Sequence, residues 1–110
     1  MSLTEFRQQL RQGVAFADTL AFIEQHYVYQ PRAFQNGSVH NAAGENVGSC
    51  KILGWALLEH LSTEEALLAF GEHWHGVQAD PEGTGQAKIR ALQRTGLAAV
   101  HFEQLPITRS

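Results

Sequence analysis

The chain has 110 residues, 44% hydrophobic and 17% charged, with a formal net charge of −3. This length fits one domain, and the composition excludes intrinsic disorder, which combines low hydrophobicity with high charge. Scattered basic residues on an acidic chain exclude a protein whose main partner is nucleic acid, because phosphate contacts need clustered Lys and Arg.

The amino-terminal signal is a capping box. Ser2 is placed to accept from the backbone at Glu5, and Glu5 to reach back. Leu3, Phe6, Leu10 and Val14 follow at helical spacing, and Gly13 ends the run. Phe16, Leu20, Ile23 and Tyr27 mark a second helix, which Pro31 prevents from continuing. From Val28 to about Ser49 the helical period vanishes and Pro31, Asn36-Gly37, Asn41, Gly44, Asn46 and Gly48 appear. A connection of this length in a small domain is functional or mobile. Ser49 suits the N-cap of a third helix, whose residues Ile52, Leu53, Trp55, Ala56, Leu57, Leu58 and Leu61 are apolar nearly all round, the mark of a central helix. Ser62 and Glu65 form a second capping box, followed by one buried stripe through Leu67, Phe70, Trp74 and Val77. Trp55 and Trp74 are therefore expected in the core. Asp80-Pro81-Glu82-Gly83 reads as a turn. A short helix from about Thr84 to Arg94 ends at Gly96. In the tail, Val100 and Phe102 alternate with His101 and Glu103, an extended piece expected to pair near Tyr27–Tyr29. These signals predict a mainly α fold, a compact bundle of four to five helices with a long irregular Asn/Gly-rich loop and at most a short two-stranded pairing.

No run approaches the roughly 20 apolar residues that span a bilayer. The amino terminus lacks the basic start and apolar run of a signal peptide. The single cysteine, Cys50, can form no internal disulfide. A cytoplasmic protein with no membrane partner is the expectation, so the Asn36-Gly37-Ser38 sequon carries no meaning.

Candidate chemistry concentrates between Asn36 and Lys51. Gly44-Glu45-Asn46-Val47-Gly48-Ser49-Cys50-Lys51 is not a Walker A loop, which needs Lys directly after the second Gly. It keeps the weaker physics of a helix start, where free backbone N–H groups and the helix dipole attract anions, with Lys51 to add charge. Plain capping by Ser49 explains the same residues. Cys50 in a first turn would have a lowered thiol pKa and could act as a nucleophile if a base such as His40 reached it. Cysteines of this kind are also often simply buried. The six histidines show neither His-Glu-x-x-His nor a cysteine cluster, so no metal and no cofactor are implied. Asn36, Asn41, Asn46, Ser49 and Arg90 are expected to form one polar cluster in which Arg90 clasps loop carbonyls. Together with Tyr29 and Lys51 they are the candidate ligand-binding residues, and Cys50 is the weaker catalytic candidate.

The same residues resemble the HopJ family, the HopPmaJ-type proteins described as type III effectors. The matching pattern is Tyr27-x-Tyr29-x-Pro31-x-x-Phe34-x-Asn36-Gly37, then Asn41-x-Ala43-Gly44-x-Asn46-x-Gly48-Ser49-Cys50-Lys51-Ile52, then Phe70-Gly71, Pro81-x-Gly83, Ile89-Arg90, Gly96 and Phe102. The resemblance runs over nearly the whole chain and implies no transferable enzymatic mechanism. Two departures stand out: Gly85 and Lys88 are read where the family has the His and Asn of His-x-Asn-Ile-Arg, and Gly96-Leu97-Ala98-Ala99 replaces Gly-Trp-x-Gly. An ordered helix from Leu3 favours a cytoplasmic domain over delivery through a type III system, since type III leaders tend to be disordered and polar. The leading reading is a module that binds an unknown small ligand or protein through Asn36–Lys51. A secreted effector acting on a host protein and a Cys50-dependent enzyme are the alternatives.

Overall fold

The computed structural model describes residues 1–110. In chain order the elements are α1 (Leu3–Gln12), α2 (Phe16–His26), β1 (Tyr27–Tyr29), β2 (Phe34–Asn36), β3 (Val39–Asn41), α3 (Val47–Leu58), α4 (Thr63–Ala69), α5 (Glu72–Ala79) and α6 (Ala87–Thr95). A 3-10 turn (Leu97–Ala99), β4 (Val100–Phe102) and β5 (Ile107–Arg109) complete the chain.

Both capping boxes form as their sequences require. The Glu5 amide donates to Ser2 Oγ at 3.1 Å, and Glu65 and Ser62 repeat the exchange. α3 runs through the centre, with Ile52, Leu53, Trp55 and Ala56 fully buried. Phe6 of α1 stacks on Phe22 of α2 at 4.4 Å between ring centroids, and the Trp55 indole meets both rings edge-on. That aromatic trio fixes α1 and α2 against α3. Trp74 packs against this core, as expected, but is only half-buried.

The expected mainly α bundle is corrected to an α+β fold with six helices and two small sheets. The segment after Val28 is not an irregular loop. Gly37-Ser38 closes a two-residue hairpin turn between β2 and β3, with Asn36 opposite Val39 and Gly37 at φ 61°. A Gly-Ser pair in that place suits a hairpin turn because glycine enters the left-handed region without a Cβ penalty. The ladder, rather than asparagine side chains, satisfies most of the backbone there. β4 adds to the other edge of β2, giving an antiparallel sheet of order β3-β2-β4. The pairing expected for the tail is also corrected: β4 joins β2, while β5 is the strand that pairs with β1. Tyr27 of β1 donates its phenol to Glu59 at the end of α3, and Arg109 of β5 forms an ion pair with the same carboxylate.

The stripe from Leu67 to Val77 is two helices rather than one. Gly71 breaks it at φ 58°, and a Cβ there would stand 2.7 Å from the Val14 carbonyl oxygen. The loop between α1 and α2 crosses Gly71 so closely that the Phe16 amide donates to Glu72 Oε1 at 2.8 Å.

Candidate functional site

Strand alternation divides the three-stranded sheet into two faces. Phe34, Asn36, Asn41 and Val100 point inward and are buried. Gln35 stands opposite both His40 and His101, so an imidazole, an amide and an imidazole form one row across the outer face. At the end of the sheet where β2 begins and β3 and β4 end, the row opens into a cleft of about 360 Å³. Arg32 and Ala33 enter the sheet on one side of it, and Glu103 and Gln104 leave on the other. The volume is within the range of small-molecule sites, and Ala33 and Phe34 are the two hydrophobic residues among those that line it.

The Arg32 guanidinium donates through Nη2 to Gln30 Oε1 at 2.8 Å, and its Nε is buried without an acceptor. Asn41 Oδ1 accepts from Asn46 Nδ2, while Asn41 Nδ2 is buried without an acceptor. Behind Arg32 the Cys50 thiol donates to the Arg32 carbonyl at 3.7 Å. The Tyr29 hydroxyl faces that thiol, and Lys51 Nζ sits 5.0 Å from the Tyr29 ring centroid in a cation–π contact. Burial pushes the Cys50 thiol up, against the weaker downward pull of the Arg32 backbone, the Tyr29 hydroxyl and Lys51. Burial likewise raises the Tyr29 phenol, with Cys50 adding to the shift.

Several expected roles move. Ser49 is not the N-cap of α3: Asn46 takes that place with φ 47°, and Ser49 lies in the first turn, buried, its Oγ without a partner. Cys50 is 1% exposed, and its thiol is held neutral by burial rather than ionised by the helix start. His40 stands exposed on the outer face, and no hydrogen bond joins it to Cys50. Asn36 is fully buried and donates to the Lys88 carbonyl at 2.7 Å, tying β2 to the start of α6. Arg90 does not clasp the Asn36–Lys51 segment. Its guanidinium donates to Gly85 O at 2.6 Å and Pro81 O at 3.4 Å, pinning the turn that precedes its own helix. The structure thus brings Tyr29, Asn41, Asn46, Cys50 and Lys51 around Arg32 or the start of α3, and sends Arg90 elsewhere. No group of three His, Cys, Asp or Glu side chains is placed to hold a metal ion.

Residues 3–107 match the model of the family described as HopJ type III effector protein. The chain belongs to the HopJ family. A solved structure described as that of the unknown function protein VPA0580 superposes on this HopJ domain with a TM-score of 0.93. The two are 36% identical over 100% of this chain and 95% of the other. No curated protein matches the sequence. No helix is long and apolar enough to cross a membrane.

The family departures fall away from the cleft. Leu97, at the tryptophan position, is a buried residue at the far end of β4, with its amide donating to Thr63 Oγ1 at 3.0 Å. The Asn36 bond uses the carbonyl of Lys88, so it does not depend on which side chain stands there. Counting back from Ile89-Arg90 places Gln86, not Gly85, at the family's histidine. Gln86 is the left-handed N-cap of α6, and its amide meets His73 Nδ1 at 3.4 Å.

Sequence reasoning did not single out Arg32, Gln35, His101, Glu103 or Gln104 as site residues. Their signal was the His101 alternation in the tail, and it became readable only once β4 was known to pair with β2.

Proposed function

We propose that this HopJ domain is a binding module for a small polar molecule, taken up in the cleft at the end of the β3-β2-β4 sheet. The observation that carries the reading is the cleft itself, where Arg32, Gln35, His40, His101, Glu103 and Gln104 converge from three strands and their connections. Charged and amide side chains gathered in one concavity provide orientation and specificity, with Ala33 and Phe34 as the two hydrophobic residues of the lining. Asn41 is the part of the Asn36–Lys51 candidate set that lines the cleft directly, and the Cys50 thiol holds the Arg32 carbonyl from behind.

A Cys50-dependent enzyme has less support. A nucleophile needs access and thiolate character, and burial denies this thiol both.

Thermal unfolding in the presence of a library of polar metabolites tests the reading. A ligand at 100 times its Kd stabilises the folded state by about 2.7 kcal/mol, readily seen as a raised Tm. The expected result is a set of stabilising compounds whose effect disappears in a Gln35→Ala, His101→Ala double variant. Compounds that stabilise that variant as much as the natural chain, or a library with no stabilising member, would overturn the proposal.

A further inference from the structure

Asparagine followed by glycine is a peptide step especially prone to deamidation, because a residue without Cβ leaves its nitrogen open to attack the preceding side chain. Asn36-Gly37 is the one such step in the chain, since Asn41 and Asn46 are followed by Ala42 and Val47. The fold closes this step from several sides. The hairpin turn is Gly37-Ser38, so Asn36 stands in β2 rather than at the tip. In a strand the side chain stands perpendicular to the sheet while the next N–H lies in its plane, away from the path of attack. The Gly37 N–H donates to the Ala99 carbonyl at 3.0 Å, and the Gln35 amide holds the Gly37 carbonyl at 2.8 Å. The nitrogen that would leave is held as well. Asn36 Nδ2 donates to the Lys88 carbonyl at 2.7 Å, from a side chain that is fully buried. A Cβ on Gly37 would stand 2.9 Å from Thr95 Oγ1, so the end of α6 packs directly over the turn.

We propose that Asn36-Gly37 is a latent modification site: its deamidation is locked in the native fold, proceeds when the hairpin tip parts from α6 and the 3-10 turn, and gives a product that cannot reclose. In the opened tip the Gly37 nitrogen gives its proton to a solvent base and attacks Asn36 Cγ. The new N–C bond forms as the Cγ–Nδ2 bond breaks, and Nδ2 leaves as ammonia with a proton from water. Water then opens the cyclic imide at either carbonyl, leaving aspartate or isoaspartate in place of Asn36. One water is consumed, one ammonia is released, and nothing is oxidised or reduced. Opening breaks the contacts to Ala99, Lys88 and Thr95 while α1 to α4 stay packed, a local event less costly than global unfolding. The product does not fit the place that Asn36 left. A buried carboxylate there would face the Lys88 carbonyl, acceptor against acceptor, without the hydrogen bond that ties β2 to α6. Isoaspartate also lengthens the backbone of β2 and spoils its register with β3 and β4.

The test uses the whole chain at neutral pH, folded in buffer and unfolded in urea. Conversion at Asn36 is followed by peptide mass spectrometry, with Asn41 and Asn46 as internal controls. The expected result is conversion at Asn36 at least about a hundredfold slower in the folded chain than in the unfolded one. That slowing should equal the protection of the Gly37 amide against hydrogen exchange, and both should be smaller than the protection of the Leu53 amide in the centre of α3. Converted chains carry one more negative charge and separate by ion exchange. They are expected to unfold at lower urea than unconverted chains, and Asn36→Asp to do the same. If Asn36→Asp does not fold, the two rates and the converted fraction of the natural chain still carry the test. Equal conversion in folded and unfolded chains overturns the lock. A slowing as large as the protection of the Leu53 amide places the gate at global unfolding and overturns the local opening. Converted chains as stable as unconverted ones overturn the failure to reclose.

Discussion

Two glycines in helices allow one substitution to be made with opposite outcomes. Gly54 lies in the middle of α3, where the carboxy-terminal segment crosses it. A Cβ there would clash with Pro106 Cγ, stand 2.7 Å from Pro106 Cδ and meet Ile107 Cγ1 at 3.4 Å. Gly76 lies inside α5, and a Cβ there would meet nothing within 4 Å. In an exposed helix interior Gly→Ala stabilises by about 0.5–1 kcal/mol, through the entropy of the unfolded chain. Gly76→Ala is expected to show that gain in full. Gly54→Ala carries the same gain and in addition forces Pro106–Ile107 off the helix, an overpacking strain of about 1–3 kcal/mol. Because the propensity contribution is common to both, the difference between the variants isolates the strain. Urea unfolding followed by tryptophan fluorescence measures it, provided the m-values agree. If Gly54→Ala proves as stabilising as Gly76→Ala, then the carboxy-terminal segment does not close over α3, and the β1–β5 pairing loses its support.

Three further outcomes follow from the packing and the charges. Trp55→Ala should cost about 3–5 kcal/mol, as for any fully buried large side chain, and Trp74→Ala clearly less because that indole is only partly covered; equal losses in urea unfolding would contradict the burial. The Arg7 guanidinium, 2.7 Å away, holds the Glu65 carboxyl below its usual 4.5, so its stabilising contribution is present above that pH and is lost as pH falls through the lowered folded value; the urea midpoint should drop in acid, and drop less in Glu65→Gln. Burial and then the Glu59 carboxylate push the Tyr27 phenol up to about 12, so stability present below pH 10 should be lost as pH rises between these values, an alkaline loss that Tyr27→Phe should lack.

The helical half of this fold is legible in local chemistry. Ser2 with Glu5, and Ser62 with Glu65, specify helix starts through contacts three residues apart, and Gly13 and Gly96 mark ends. The strands are legible only in part. Each is three residues long, too short for a period to show, and their partners lie far along the chain. Gly37-Ser38 is itself a hairpin signal, hidden among neighbouring Asn and Gly residues that fit a loop equally well. Gly71 ends α4 through the close passage of Val14–Phe16, a contact with no trace in the local sequence. The same limit applies to the site. Asn36 and Asn41 were recognisable as residues that bond inward, because small amides in an extended segment satisfy buried groups. Arg90 was assigned to the wrong segment because guanidinium reach says nothing of direction, and it found carbonyls five and nine residues back. The row His40–Gln35–His101 depends on β4 lying beside β2, which is set by packing rather than by any pattern in those residues.

Ligand binding at the sheet-end cleft of this HopJ domain is open to test residue by residue. The most direct measurement is a map of backbone amide chemical-shift changes across all residues while the strongest stabilising metabolite is titrated in. Binding in the cleft requires saturable changes concentrated at Arg32, Gln35, His40, Asn41, His101 and Gln104, with α1 and α4 unmoved. Changes centred on α1 and α4, around Arg7 and Arg11, with the sheet end silent, would contradict it.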